Sequence, residues 1–505
     1  MISESSVAEK ANARAPQTEV LSYEVSEDSA GDLLSRERSR TKAKIKVGLV
    51  ATSYFEFYRM YKDLKGQLDS DAKVVWKRLS EKHDVVYTGM VDTLDSADEA
   101  GRELREQQVD LLILAYRAYV PDAYIHQLLS HVPNVPILFF ASQSRDRFDF
   151  KDDYCGVFRN SGIMAQVQLV AGFRKMNIHK NVEAIAGSVH DDEAYRQIDR
   201  YIDVVTIYKQ LRTMTFGIIG NVFRGMFDFE YDKTKVKGAI GPEVMNIQVD
   251  HLVKQWENAP LSDPDVQAML KHTREYYEIE GVGQPDLENA ARVAVAVDRL
   301  VKRFNLDGLA VLCQHFIEAK FKATPYLGLC ELHRHGDCPA SSEGDVIGLI
   351  TMKILKHLTG NMPFFVEWSE FDVEHNAWMM LGHGFGDPSQ ARGKPRLTPS
   401  AEQWGLEGTG CSGCFTPKPG PCTMAHFIED ADGWRMVIGR AKIMDLPEMP
   451  INDVHVIVQV EKPVKQYTEE IIKAGVPHHA MTVRGDVVHE LQQLAALMGM
   501  KTTMI

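Results

Sequence analysis

The sequence predicts an α/β protein with two doubly wound parallel-sheet domains, followed by a β-rich, barrel-like C-terminal domain. Three observations support this: near-continuous apolar runs alternate with helical segments, the pattern restarts near residue 180, and Gly, Pro and short β-type runs dominate from Met362 onward. Apolar runs that alternate with helices are typical of parallel sheets covered on both faces. The crossovers between such strands are right-handed and give doubly wound layers.

The N-terminal α/β domain is predicted over residues 43–178. Before it, residues 1–42 are polar and charged, which predicts a disordered or loosely docked tail. The strand runs of the domain cover 45–51, 109–115 and 135–141, and its helical segments cover 96–107 and 122–130.

The central α/β domain is predicted over residues 179–355, and the β-rich domain over 356–505. Strand runs of the central domain cover 182–187, 215–220 and 307–313, and its helices cover 289–304 and 346–358. In the last domain, a strand is predicted over 452–460 and a helix over 486–498.

Composition restricts the partners and the compartment. The formal net charge of -13 argues against nucleic-acid binding, which needs clustered Lys and Arg. No apolar run approaches the roughly 20 residues that span a bilayer, and the N-terminal stretch lacks the apolar segment of a secretory signal. Seven cysteines are too few for a disulfide scaffold, and their odd number fits a reducing compartment. We therefore expect a cytoplasmic protein.

Four ionisable side chains stand in Gly- or Pro-containing segments of the C-terminal third. They are Glu343 in S-S-E-G-D, Glu367 in F-F-V-E-W, His383 in L-G-H-G-F-G and His479 in V-P-H-H-A. Two carboxylates and two imidazoles could hold an oxygen-loving divalent metal together with the hydroxyls of a sugar. Each residue also has a structural explanation; Glu343, for example, would favour a helix dipole. The hypothesis therefore depends on their joint occurrence.

The surroundings of these residues form longer motifs. Segment 330–345 reads C-E-L-H-R-H-G-D-C-P-A-S-S-E-G-D, Asn376 and His383 are seven residues apart, and 474–479 reads A-G-V-P-H-H. These motifs resemble the metal-binding core of the L-fucose isomerase and L-arabinose isomerase superfamily. The E-G-D at 343–345 resembles that of arabinose isomerases. The final segment resembles their A-G-G-A-H-H, in which the second histidine is the ligand, so His479 is preferred over His478.

This resemblance implies a metal-dependent aldose–ketose isomerase that acts on a small sugar through an ene-diol. It implies catalytic roles for Glu343 and Glu367. The implied metal ligands are Glu343, Glu367, His383 and His479, which would hold Mn²⁺ or another divalent cation such as Co²⁺ or Mg²⁺. It further implies a homo-oligomer, such as a hexamer, in which the N-terminal domain caps a neighbour's site.

Other interpretations remain open from the sequence. The same ene-diol could serve an epimerase, and a non-catalytic sugar-binding protein could use the same layers. A Cys₃His zinc site could form, its candidate ligands being Cys411, Cys414, Cys422 and His426. Near Glu343, a group of ionisable residues could support the site or form a solvated face: Glu331, His333, His335 and Asp345. Thr52-Ser53-Tyr54 stands where arabinose isomerases carry Gly-Ser-Gln, which predicts a substrate other than the standard pentose.

Overall fold

The computed structural model describes residues 44–179, 181–312, 316–336, 338–400, 405 and 407–505. The tail predicted over 1–42 lies outside the described residues. Two parallel-sheet layers are followed by an antiparallel barrel, which confirms the predicted fold class. Among the residues described, every helix is too short or too polar to span a lipid bilayer.

The first layer is a five-stranded parallel sheet flanked by helices. Its strands are β1 (Lys46–Thr52), β2 (Asp84–Val91), β3 (Leu111–Tyr116), β4 (Ile137–Gln143) and β5 (Val182–Ser188). The helices are α1 (Phe55–Met60), α2 (Leu64–Ser80), α3 (Leu94–Glu106), α4 (Asp122–His131), α5 (Tyr154–Phe158), α6 (Gly162–Met176) and α7 (Asp192–Leu211). The strand order is β2-β1-β3-β4-β5. The edge strand β2 is only partly buried, so it lacks the apolar run that marks β1, β3 and β4.

Strand β5 corrects one sequence-based assignment. The run at 182–187 was predicted to open the central domain, but β5 pairs in parallel with β4 from Ile137↔Val182 to Gln143↔Ser188. The assignment was wrong because a parallel strand has the same composition in either sheet. The domain boundaries themselves stay predictions.

The second layer is a four-stranded parallel sheet. Its strands are β6 (Thr215–Ile219), β7 (Glu243–Ile247), β9 (Gly308–Val311) and β10 (Ala340–Ser341), while β8 (Glu278–Ile279) joins a separate small sheet. The helices are α8 (Lys233–Ala239), α9 (Val249–Glu257), α10 (Pro264–Tyr276), α11 (Gln284–Arg303), α12 (Phe316–Phe321), α13 (Tyr326–His335) and α14 (Val346–Thr359), with a 3₁₀ turn at Phe227–Phe229. The strand order is β10-β9-β6-β7.

The C-terminal region is a closed six-stranded antiparallel barrel. Its strands are β11 (Phe364–Asp372), β12 (Ala377–Leu381), β15 (Gly420–Asp430), β16 (Gly433–Ile443), β17 (His455–Val460) and β18 (His479–Arg484). Pairing of β15 with β16 closes the ring. The remaining elements are a 3₁₀ turn at Pro388–Gln390, β13 (Arg396–Pro399), β14 (Cys411–Cys414), α15 (Val464–Lys473), α16 (Val488–Leu497) and β19 (Lys501–Met504). Helix α15 was not predicted, although Val464, Tyr467 and Ile471 already show its helical spacing.

Helix α14 connects the central layer to the barrel. It contacts β9 on one side and β15 and β18 on the other. Its residues Val346, Ile347, Leu349, Ile350 and Met352 are buried in this contact. The turn between β10 and α14 is therefore held against the barrel, and Glu343 lies in that turn.

Candidate metal centre

Two carboxylates and two imidazoles meet where the barrel contacts the central layer. The donor atoms lie within 4.8 Å of one another and come from Glu343, Glu367, His383 and His479, which we call the quartet. His383 Nε2 is 2.6 Å from Glu367 Oε1. His479 Nε2 is 3.3 Å from Glu343 Oε2 and 3.6 Å from Glu367 Oε1. The structure thus brings together all four residues that the sequence predicted as one site.

The register of the barrel explains why three quartet members meet. Glu367 on β11 stands opposite His479 on β18 and opposite Leu381 on β12. Directly opposed residues in antiparallel strands have Cβ atoms about 4.5–5.5 Å apart. His383 follows two residues after Leu381, in a turn between Gly382 and Gly384.

The fourth member comes from a turn with left-handed backbone. Glu343 has φ +58° and Gly344 has φ +78°. Such a φ costs a residue other than glycine about 1–3 kcal/mol unless its surroundings fix it. The Phe223 N–H donates to the Glu343 carbonyl at 2.9 Å, and a Cβ on Gly344 would lie 2.4 Å from the carbonyl oxygen of Asn221. Close packing against the 221–223 loop therefore fixes the direction of Glu343.

Asp345 lies next to the quartet and contacts its member His479. It is the N-cap of α14, and Oδ1 accepts from the Gly348 N–H at 2.7 Å. Oδ2 faces His479 Nδ1 at 2.9 Å and His426 Nε2 at 3.2 Å. Burial would raise the pKa of this carboxyl, but the two histidines outweigh it and hold the pKa well below the usual range. Asp345 is therefore a buried, ionised acceptor.

The quartet carboxyls are also ionised. Burial alone would raise the pKa of Glu343, but His478 and His479 lower it to about 2. The same balance of burial and neighbouring histidines places the pKa of Glu367 below its usual range. Burial would lower the pKa of His479, yet the surrounding carboxylates hold it well above its ordinary value. The site therefore attracts positive charge.

This donor set fits a divalent cation. Carboxylate oxygens and imidazole nitrogens together suit Mn²⁺ and Co²⁺. A ligand histidine usually donates its other N–H to a carboxylate, and His479 has such a contact with Asp345. A cation would displace the proton from His479 Nε2, since ligand nitrogens must be deprotonated.

His478 lies at the rim of the site. Its Nδ1 is 2.6 Å from Asp228 Oδ2, and its Nε2 is 3.9 Å from Glu343 Oε2 and from Glu367 Oε1. Burial would lower the pKa of His478, but Asp228 and Glu343 raise it to about 9. It therefore presents a cationic imidazole to the quartet.

The loop after β6 also contributes to the site, which the sequence did not predict. Asp228 in this loop contacts His478, and the ring of Phe229 stacks on His479 with centroids 5.0 Å apart. A signal existed, because ligands of open α/β sheets bind beyond the carboxyl ends of the strands, and this loop leaves such an end.

The structure does not support a Cys₃His zinc site in the part of the chain that it describes. The ligand cluster found there is the quartet. Cys414 Sγ lies 3.2 Å from Arg396 Nη2, while His426 faces Asp345. Cys411 lies on β14 of the small sheet and Cys422 lies on β15 of the barrel, so the candidate ligands come from different sheets.

The residues near Glu343 do not form a solvated face. Asp345, Glu331 and His333 are buried, and His335 is partly buried. Glu331 accepts from the Tyr277 hydroxyl at 2.8 Å. His333 Nε2 accepts from the Ala340 N–H at 2.9 Å, so it braces the strand that leads to Glu343.

His333 is expected to make stability fall in mild acid. Burial lowers its pKa from 6.5 to about 4, so the unfolded chain binds a proton that the folded chain does not. The folded state therefore has its full stability above pH 6.5 and loses about 3 kcal/mol by pH 4 from this group. Urea unfolding across this range should show a shallower pH dependence for His333→Gln than for the parent. His489→Gln, which changes an exposed histidine, should keep the parental slope; equal slopes for all three would contradict the assignment.

Tyr54 belongs to an aromatic cluster at the carboxyl edge of the first sheet. It follows the buried Thr52 and Ser53, and its ring lies 5.6 Å from Phe57 and 6.4 Å from Tyr119 between centroids. The residue that departs from the arabinose isomerase motif is thus held by packing at the end of β1.

The chain is similar to several known sugar isomerases. Residues 363–501 match the family model described as the L-arabinose isomerase C-terminal domain. The chain is similar to a sulfoquinovose isomerase of Priestia aryabhattai, with 23% identity over 328 residues, covering 64% of this chain and 72% of that protein. An L-arabinose isomerase of Aeromonas hydrophila subsp. hydrophila is 25% identical over 350 residues, covering 66% and 68%. One of Tolumonas auensis is 23% identical over 459 residues, covering 87% and 90%.

These matches support the arabinose isomerase family at low identity, and an enzyme of the aldose–ketose isomerase class. Among solved structures, a lac repressor bound to ONPG aligns with 56% of this chain and 69% of that chain at 12% identity. Its TM-score of 0.16 supports no inference.

Proposed function

We propose that this protein is a divalent-metal-dependent aldose–ketose isomerase that converts a small sugar through an ene-diol. The observation that carries the proposal is the convergence of Glu343, Glu367, His383 and His479 within 4.8 Å. The isomerase names of its relatives support the reaction class.

All four quartet side chains would hold the cation, for which Mn²⁺, Co²⁺ and Mg²⁺ are the candidates. When bound, such a cation supplies Lewis acidity towards the carbonyl and hydroxyl oxygens of an open-chain sugar. The chain itself provides an ionised carboxylate and an imidazole in a buried setting: Glu343 is 2% exposed and His479 is 1% exposed.

Glu343 and Glu367 would share the proton transfers. One carboxylate removes the hydrogen from C2 of an aldose, which leaves the ene-diol, and a proton is then delivered to C1. The hydroxyl proton moves from O2 to O1 in the same conversion, so atoms and charge balance. Positioned acid–base groups of this kind typically contribute about 10²–10⁴-fold to a rate. The rings of Phe229 and Phe365 contact His479 beside the carboxylates.

A panel of aldoses and ketoses, assayed with Mn²⁺ present, tests the proposed function. It should include L-arabinose and sulfoquinovose, the sugars named in the relatives. We expect at least one aldose to give its 2-ketose, identified by NMR of the product. A 2-epimer as the product would instead indicate an epimerase. Sugar binding by metal-free protein without turnover would indicate a non-catalytic binding protein.

We further infer a cytoplasmic homo-oligomer, with a second copy of the chain covering part of the first domain. Exposed apolar side chains concentrate in one stretch: Phe148, Phe150, Tyr154, Val157, Ile163, Met164 and Val167. Apolar surface of this kind marks association sites in soluble proteins. Five cysteines are outside any disulfide, which fits a reducing compartment: Cys155, Cys330, Cys411, Cys414 and Cys422.

A further inference from the structure

Its role as the helix cap of α14 does not explain why Asp345 is buried. It is 0% exposed, although a capping carboxylate can lie at the protein surface. Only Oδ1 serves the cap, through the Gly348 N–H. Oδ2 is turned towards the barrel, where it meets imidazoles from two different strands, His479 on β18 and His426 on β15.

His426 is buried inside the same contact. It is 3% exposed, its Nε2 lies 3.2 Å from Asp345 Oδ2, and its Nδ1 faces the carbonyl oxygen of Phe427. The ring is therefore held at both nitrogens. It gives Asp345 a second donor, so the carboxylate cannot rotate away without leaving a buried donor unpaired.

The aromatic neighbours of His479 do not by themselves determine which way round its ring lies. Phe229 stacks on the ring at a centroid distance of 5.0 Å, and the tilted ring of Phe365 contacts it at 4.3 Å. Aromatic packing fixes the plane of an imidazole, but it does not distinguish the ring from one flipped by 180°. The contact of Nδ1 with Asp345 makes that distinction and leaves Nε2 facing Glu343 and Glu367.

We propose that Asp345 and His426 are a positioning pair, which orients His479 so that its Nε2 faces the cation site. The inference rests on the proposed function and deepens it. It assigns the two residues a role through His479, without contact to the substrate. His426, considered above as a zinc ligand, would instead hold Asp345 in place.

Asp345→Asn is the first test. Asparagine is an equally good N-cap, so α14 keeps its cap, while the amide can no longer accept from both histidines. We expect Mn²⁺ affinity of the metal-free full chain, measured by EPR of unbound Mn²⁺, to weaken about 10–100-fold. The matched control is Asp191→Asn, at the N-cap of α7, which should keep the parental affinity.

His426→Leu separates positioning from electrostatics. Loss of the Asp345 charge could by itself weaken cation binding, but His426→Leu retains that carboxylate and removes one of its donors. Electrostatics alone therefore predicts unchanged or tighter Mn²⁺ binding, whereas positioning predicts weaker binding. His426→Gln can still donate an amide N–H to Asp345, so we expect it to recover part of the affinity. A purely structural role would lower the unfolding midpoint of the metal-free variant. It would leave the Mn²⁺ affinity of the folded molecules unchanged.

The outcomes distinguish this inference from the proposed function. A parent chain that neither binds Mn²⁺ nor converts any sugar would overturn both. A parent that does both, with His426→Leu binding Mn²⁺ as tightly as the parent, would overturn the positioning role alone. If Asp345→Asn does not fold, the comparison of His426→Leu with His426→Gln decides the question.

Discussion

Glu343→Gln is expected to lower turnover sharply while leaving the fold intact. The substitution keeps the shape of the side chain and the left-handed turn, but it removes the carboxylate that would exchange a proton with the substrate. We expect kcat to fall by about 10²–10⁴-fold. Exchange of the substrate C2 hydrogen with solvent deuterium, followed by NMR, should fall in parallel.

The control for this variant is Glu370→Gln, which removes an exposed glutamate from β11 near the quartet. This variant should exchange the substrate C2 hydrogen with solvent, and turn over substrate, at the parental rates. Circular dichroism and unfolding midpoints should show that both variants are folded. Parental exchange in Glu343→Gln would remove this glutamate from the mechanism.

Metal removal is expected to have an equally large effect. Dialysis against EDTA should abolish the activity, and Mn²⁺ or Co²⁺ should restore it. The reason is that the quartet places carboxylates and imidazoles around one point. Binding should also stabilise the fold by ~2.7 kcal/mol when free metal is about 100-fold above Kd. Thermal unfolding with and without Mn²⁺ measures this directly.

His383→Gln should lose most of this metal-induced stabilisation, since it removes one quartet imidazole. The comparison variant is His375→Gln, which alters an exposed histidine paired with Asp372 near the end of β11. It should be stabilised by Mn²⁺ as the parent is. Full activity after metal stripping, verified by elemental analysis, would contradict the proposed metal dependence.

The sequence was informative where local composition determines structure. Strands such as β1 and β3 are buried along their length, so their apolar runs identified them. The partly exposed edge strands β2 and β7 have mixed polarity and were missed. Strand β5 was detected but assigned to the wrong sheet, because partner choice depends on contacts that composition does not encode.

The candidate site was likewise predicted from the sequence only in part. The motifs around Glu343, Glu367, His383 and His479 predicted a common site, and the barrel register explains why the last three meet. The roles of the surrounding residues depend on contacts across large sequence separations. His426 and Asp345 are 81 positions apart, and His478 and Asp228 are 250 apart. No local pattern predicts such pairs.

The turn that carries Glu343 precedes the barrel in the chain, so the site combines one donor from the central layer with three from the barrel. A stand-alone copy of residues 363–501 would retain three donors and lack the fourth. By linkage, a ligand that requires all four donors favours the docked arrangement of the two parts over any separated one. The cation would thus hold the central layer and the barrel together, and loosening of the α14 contact should release it.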